Sequence, residues 1–337
     1  MNSAQVVSKC LENEKGSALS QRRTNVNGVA DEELTNALNL GILGFLDEDE
    51  KKWWAEEIQR YRRATIQAPQ YYVGEAFAQE GLTGLELSTG IDSAIEAARR
   101  KSYSLYLEDE AKLHAALFEM LARERKVPRS ILSDLSSRVI GGGSFDNATD
   151  SERTDRLSLL TGEYVGRIFP YVYQLCLSTT QSRRSRAGRE FELIIERILQ
   201  EFAIEHEAQS TIGTENFDRV GLGKAVDFLV PGTYAYQNQR TRCAVLTVKT
   251  TLRERWQQVA EELAATNVPS IYLLTLDDAI SSAVAKRIIS YNITLVTTEA
   301  VKKQKFSEIS QVLSFQRFFS HDLKHVLTYW EGGENDN

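Results

Sequence analysis

Residues 226–262 read "VDFLVPGTYAYQNQRTRCAVLTVKTTLRERWQQVAEE", and this stretch decides the fold. Two short apolar runs rich in β-branched residues, "VDFLV" (226–230) and "CAVLTVK" (243–249), are separated by turn-forming residues, the pattern of two strands. Asp227 is the only charged residue in the first run. A carboxylate on a buried or half-buried strand is costly unless it is paired or holds a metal. Along the second run side chains alternate, so Val245, Thr247 and Lys249 share one face and Leu246 and Val248 the other. Thr250 and Thr251 then suit the start of a helix over about 251–266, on which Arg255, Val259 and Glu262 share a face. Glu262 is thereby expected to look back toward Lys249.

Working outward, "SIYLLTL" (270–276) and "ITLVTT" (293–298) read as further strands, with a helix at about 280–290 between them. Upstream, "GREFELIIERILQEFAI" (188–204) has helical periodicity. The resulting order, α-β-β-α-β-α-β, predicts an α/β fold: a mixed central sheet with helices on both faces. Residues 1–130 carry only helical patterns, as in "DEELTNALNLGILGFL", "EKKWWAEEIQRYRRATIQ" and "SAIEAARRKSYSLYLEDEAKLHAALFEMLARER". Pro128, three consecutive glycines and a polar cluster then mark a linker or surface loop. The expected organisation is a helical N-terminal domain over 1–130, a linker over 131–155 and an α/β domain over 156–337.

Composition narrows the class. Hydrophobic residues are 42% and charged residues 26%, ordinary for a globular protein, and no apolar run approaches the roughly 20 residues that span a bilayer. The N-terminus lacks the basic segment and apolar block that mark export, which predicts a cytoplasmic protein. Cys10, Cys176 and Cys243 are too few and too scattered for a disulfide framework or a zinc cage. His321 and His325 have helical i, i+4 spacing without a third ligand close in sequence. The net charge of −7 weighs against a nucleic-acid partner, yet "QSRRSRAGR" (181–189) holds four arginines and no acid, so a local cationic face remains open.

Two carboxylates flanking a lysine at the lip of a sheet supply what metal-assisted phosphodiester hydrolysis requires. Asp227 and Glu262 would hold a hard divalent cation, for which Mg²⁺ suits an all-oxygen set, and Lys249 would stabilise the attacking hydroxide or the pentacovalent phosphate. At the tip of the helix that follows, Arg253 and Arg255 could bond bidentately to guanine in the major groove while Glu254 accepts from cytosine. Spacing alone leaves a plainer reading open, in which these charges form ion pairs on a solvated helix face.

The run "VKTTLRERWQQ" closely resembles the catalytic segment of type II restriction endonucleases of the EcoRII C-terminal, SsoII and PspGI group. That pattern has an Asp on one strand, Lys-Thr-Thr ending the next, an Arg/Lys-Asp/Glu-Arg-Trp recognition element and a Glu on the following helix. Here these positions are Asp227, Lys249 to Thr251, Arg253 to Trp256, and Glu262. The segment "STTQSRRSRAGREFELIIE" (178–196) resembles the group's upstream helix, which on that match makes Glu192 a further active-centre carboxylate and metal ligand, with Glu196 its rival. The likeness covers roughly residues 175–300. One departure is Val226 before the Asp, where the name motif has Pro.

The resemblance implies a PD-(D/E)xK restriction-endonuclease-like fold and a homodimer that cuts double-stranded DNA at a short palindrome with a CC(N/W)GG or CCGG core, using Mg²⁺. A partner methyltransferase of a restriction-modification system goes with it. Arg253, Glu254 and Arg255 would read the C·G pairs, while Arg183, Arg184, Arg186 and Arg189 would contact phosphates or else pair with local acids such as Glu190. Relatives with an odd central pair flip its nucleotides into pockets of aromatic and arginine side chains. Trp53, Trp54, Tyr71, Tyr72, Phe169, Tyr171 and Tyr173 are candidates for that role, with core or interface packing the favoured reading of each. Two other functions stay open: a repair or structure-selective nuclease of the same fold, and a DNA-binding protein without catalysis.

Overall fold

The computed structural model describes residues 48–123, 147–222, 226–252 and 271–332, together with Leu46, Ser133, Ser137 and Gln257. Among the described residues the leading elements are the helices α1 (Glu48–Thr65), α2 (Pro69–Gln79) and α3 (Gly84–Arg123). A 52-residue helix, α4 (Asp150–Glu201), follows. β1 (Glu207–Ala208), β2 (Phe228–Val230), β3 (Ala244–Lys249), β4 (Ile271–Thr275), α5 (Ser282–Ser290), β5 (Ile293–Thr297), α6 (Glu299–Lys305), β6 (Val312–Ser314) and α7 (Leu323–Gly332) complete the main elements.

Among the described residues the strands form one six-stranded sheet in the order β1 to β6. β1, β2 and β3 pair antiparallel, and β3 to β6 run parallel, with Lys249 opposite Thr275. The four strands at 226–298 were predicted; β1 and β6 were not, being two and three residues long. The predicted helix at 280–290 is α5, whereas the helix expected at 251–266 lies largely outside the described residues.

Alternation sorts the strand side chains onto two cores. Phe228, Val230, Leu246, Val248, Leu274 and Val296 meet Phe191, Ile194, Ile195 and Ile198 of α4 and Ile91 and Ile95 of α3. On the opposite face Leu229, Val245, Leu273 and Leu295 meet Ala285 and Ile288 of α5 and Val301 of α6. A mixed sheet covered on both faces and preceded by helices is therefore observed, as the sequence predicted.

The chain divides into two compact units, residues 1–61 with 115–178, and residues 62–114 with 179–337. This grouping follows the long helices and so runs differently from the expected division at 131–155. In the first unit Trp54 is fully buried, donating its indole N–H to the Tyr171 carbonyl at 3.0 Å and meeting the Tyr171 ring edge-on. In the second, α3 and α4 cover the sheet that carries the candidate site.

α4 begins well before the segment that periodicity marked. Thr149 and Glu152 cap each other, the Thr149 amide donating to the Glu152 carboxylate at 2.8 Å and the Glu152 amide to the Thr149 hydroxyl at 3.3 Å. α3 departs from helical geometry at Gly90 (φ −161°, ψ 60°). There the Gln316 side chain accepts from the Ile91 amide at 2.9 Å and donates to the Ser88 carbonyl at 3.1 Å, so the break leaves these two backbone groups bonded. Among the described residues, no helix is long and apolar enough to cross a membrane.

Candidate active site

Asp227 stands one residue before β2, its amide bonded to the Leu246 carbonyl and its carbonyl to the Gln209 amide. The ladder thus fixes its backbone on both sides, and the parity of β2 turns its side chain to the face of Leu229, toward Thr247 and Lys249 of β3. Asp227 Oδ2 accepts from Val248 N at 2.6 Å, Lys249 Nζ at 3.1 Å and Thr247 Oγ1 at 3.3 Å. Among the described residues no donor reaches Oδ1. The carboxylate is thus anchored through one oxygen and presents the other.

Glu192 comes from α4. Its pKa is raised, first by burial and then by the negative charge of Asp227, while Arg189 and Lys249 act in the opposite direction. Arg189 Nη1 donates to Glu192 Oε2 at 2.8 Å, one turn away. Glu192, Asp227 and Lys249 therefore share one electrostatic site, built from a helix and two adjacent strands. Burial and the neighbouring Asp227 charge disfavour the ionised form of Glu192, a penalty that a divalent cation would relieve, so the residues present fit an oxygen-bound metal. Glu262, Arg253, Glu254, Arg255 and Trp256 lie outside the described residues. Thr250 and Thr251, immediately before them, are half-buried and exposed.

The arginines of 181–189 divide by helix face. Arg186 is buried: it donates to Glu190 at 3.0 Å and to the Gln67 carbonyl at 2.8 Å, and its guanidinium lies 4.7 Å from the Tyr72 ring centroid and 4.3 Å from that of Tyr106. Burial raises the pKa of Glu190, and the Arg186 charge pulls it back. Those contacts place Arg186 inside the fold rather than at a phosphate. Arg183 is paired with the buried Glu110, an acid that sequence reasoning did not single out. Arg184 is exposed and forms no ion pair among the described residues.

Of the aromatic candidates, Trp54, Tyr72 and Tyr171 are buried, while Tyr71, Phe169 and Tyr173 are more than half exposed. An open pocket of about 520 Å³ lies between α3 and α4, lined by Arg99, Arg100, Tyr103, Arg183, Arg184 and Glu190 among others. Tyr103 and the α3 arginines were missed, because one arginine-rich turn on a long helix has no distinguishing spacing. A second missed residue is Asp277, just beyond β4. It is 6% exposed, and its Oδ2 accepts from the Leu252 amide at 2.7 Å.

The antiparallel entry to a mixed sheet, with an Asp–Lys pair where β2 and β3 adjoin and a carboxylate on the covering helix, defines the class: a restriction-endonuclease-like fold. Within it, residues 157–319 match the model of the EcoRII C-terminal family. The chain is 40% identical over 146 residues to the type II restriction enzyme SsoII of Shigella sonnei, covering 43% of this chain and 48% of that one. It is 30% identical over 133 residues to the type II restriction enzyme EcoRII of Escherichia coli, covering 39% and 31% respectively. The matched stretches thus span about half and about a third of those relatives.

Solved structures extend the likeness to most of the chain. Metal-depleted Ecl18kI in complex with uncleaved, modified DNA superposes with a TM-score of 0.67 at 25% identity, covering 87% of this chain and 88% of that one. The PspGI–substrate DNA complex, at 16% identity, shares the fold with a TM-score of 0.51 over 78% and 94% of the two chains.

Proposed function

We propose that this chain is a type II site-specific endonuclease that hydrolyses double-stranded DNA at a short palindrome with a CC(N/W)GG or CCGG core. The observation that carries the reading is the Asp227–Lys249 pair at 3.1 Å within electrostatic reach of Glu192, with Lys249 four residues before the Arg253–Glu254–Arg255 element begins. The likeness to SsoII and EcoRII supports it, as does the superposition on Ecl18kI bound to DNA.

Asp227 and Glu192, with Glu262, are the residues that would hold Mg²⁺. When bound, the cation supplies neutralisation of charge on the phosphate and a lowered pKa for attacking water. Lys249 Nζ, held by Asp227 at 3.1 Å, is placed to donate to the attacking oxygen or to a non-bridging phosphate oxygen and to offset the charge that grows there. Arg189 keeps Glu192 oriented and favours its ionised form against burial. Arg253 and Arg255 read guanines and Glu254 reads cytosine.

One active centre per chain against two strands makes a homodimer the working unit. The catalytic unit is then residues 62–114 with 179–337, and the other unit, residues 1–61 with 115–178, adds DNA contacts, dimer surface or regulation. The enzyme would act in the cytoplasm beside a methyltransferase that protects the same sequence. Where the target has an odd central pair, the pocket beside Arg99, Arg100 and Tyr103 has the arginine and aromatic lining that an extrahelical base needs. Arg184 is the phosphate contact that remains from the expected set.

Digestion of a mapped plasmid with Mg²⁺, followed by sequencing of the cut ends, tests activity, target and overhang together. Discrete fragments ending in a C/G-rich palindrome are expected. An intact plasmid, or ends without a common sequence, refutes the proposal.

A further inference from the structure

Three residues, Thr250 to Leu252, follow Lys249 at the end of β3 before position 253, and the structure shows what holds the last of them. Leu252 is pinned twice. Its side chain is 2% exposed and packs in the core on the Leu229 face of the sheet. Its amide donates to Asp277 Oδ2 at 2.7 Å. Asp277 follows β4, the strand paired in parallel with β3, and is itself fixed from both sides. Oδ1 accepts from the Ala279 amide at 2.9 Å, and its own amide donates to the buried Thr275 hydroxyl at 3.1 Å.

A carboxylate 6% exposed is held in place by such donors, because an unsatisfied buried charge is costly. The bond to Leu252 joins two loops 25 residues apart in sequence, and one of them carries Lys249 at its start and the expected base-reading side chains at its end. Displacement of the Leu252 backbone would shift residues 253–255 relative to Lys249, so that reading and cutting lose their common register.

We propose that Asp277 is a positioning residue for sequence discrimination, acting on DNA through the backbone at Leu252. The inference rests on the nuclease reading above and adds to it a residue that touches neither base nor phosphate. Merely structural damage would reduce cutting of every substrate alike. A loss of register reduces cutting of the true target more than cutting of a site with one wrong base pair, because only the true target gains from aligned base contacts.

The test uses the full-length chain with Asp277→Asn and Asp277→Ala, measuring kcat/KM on the target and on single-mismatch sites. Removing one hydrogen bond to a charged acceptor is expected to lower the target-to-mismatch ratio about tenfold in Asp277→Ala and less in Asp277→Asn, which retains one acceptor oxygen. An unchanged ratio, with both rates falling together, overturns the proposal. Amide exchange at Leu252 provides a readout independent of cleavage: it should accelerate about tenfold or more in Asp277→Ala, and unchanged protection would equally overturn the assignment. A wild-type chain that cuts no DNA would instead refute the nuclease reading, leaving the exchange measurement to decide the role of Asp277.

Discussion

Replacing Asp227 in two ways separates its structural from its chemical role. Asp227→Ala removes the acceptor of the Val248 amide, and with Val248 3% exposed that N–H has no ready access to water. An orphaned buried donor costs about 1–3 kcal/mol. The lost contact to Lys249 adds little, since a third of that side chain is exposed and the attraction is screened. Asp227→Asn keeps an acceptor oxygen at the Oδ2 position and turns its NH₂ to the side where no donor is found among the described residues, so its cost should stay below about 1 kcal/mol. On the proposed function both variants would lose a cation ligand whose contribution is several kcal/mol of transition-state stabilisation, at about 1.4 kcal/mol per tenfold in rate. Cleavage should therefore fall by about a thousandfold or more in each. Urea unfolding together with Mg²⁺-dependent single-turnover cleavage measures both quantities. Cutting by Asp227→Asn within about tenfold of wild type, or equal stability of the two variants, would refute the reasoning.

Arg255→Ala should lose about 1–3 kcal/mol of discrimination at one guanine of the target, read as the ratio of cleavage on matched and substituted duplexes; an unchanged preference removes Arg255 from base reading. His114, whose Nε2 lies 3.2 Å from the Thr179 hydroxyl, has its pKa lowered mainly by burial, with Glu110 opposing and Arg183 and Arg62 assisting. The unfolded chain therefore binds more protons between the lowered value and the ordinary one near 6.5, so stability rises with pH across that window and is lost on acidification. His114→Gln should flatten this part of the curve of unfolding free energy against pH, and an equally steep curve in both proteins would assign the acid sensitivity to another group.

The sheet was legible where strands run five or more residues and carry β-branched side chains, as in β3, β4 and β5. β1 and β6 gave no period to detect, and their pairing partners alone make them strands. The start of α4 was masked by a polar stretch that reads as linker, although Thr149 and Glu152 carried the capping signal in plain view. At the site, Asp227 and Lys249 were legible because a charge among apolar strand residues is conspicuous. Glu192 depended on the likeness to a family, since acids are common on helices. Pairing of Arg186 with Glu190 was one of the readings the sequence left open, whereas the Glu110 partner of Arg183 and the Gln67 carbonyl that Arg186 also meets were hidden, lying 73 and 119 residues away. Asp277 was hidden for the same reason: its significance is a backbone contact, and backbone contacts leave no mark in side-chain patterning.

The three donors on a single oxygen of Asp227 have a consequence for ion choice. These bonds restrain rotation of the carboxyl once the chain has folded, so an ion bound there as proposed would meet a ligand already aimed, at little further ordering entropy. Affinity at this position would then be governed by how readily the ion sheds water and how well its radius suits a ligand that cannot swing. A small octahedral ion tolerates such stiffness better than a large one that prefers ligands free to swing into a bidentate grip.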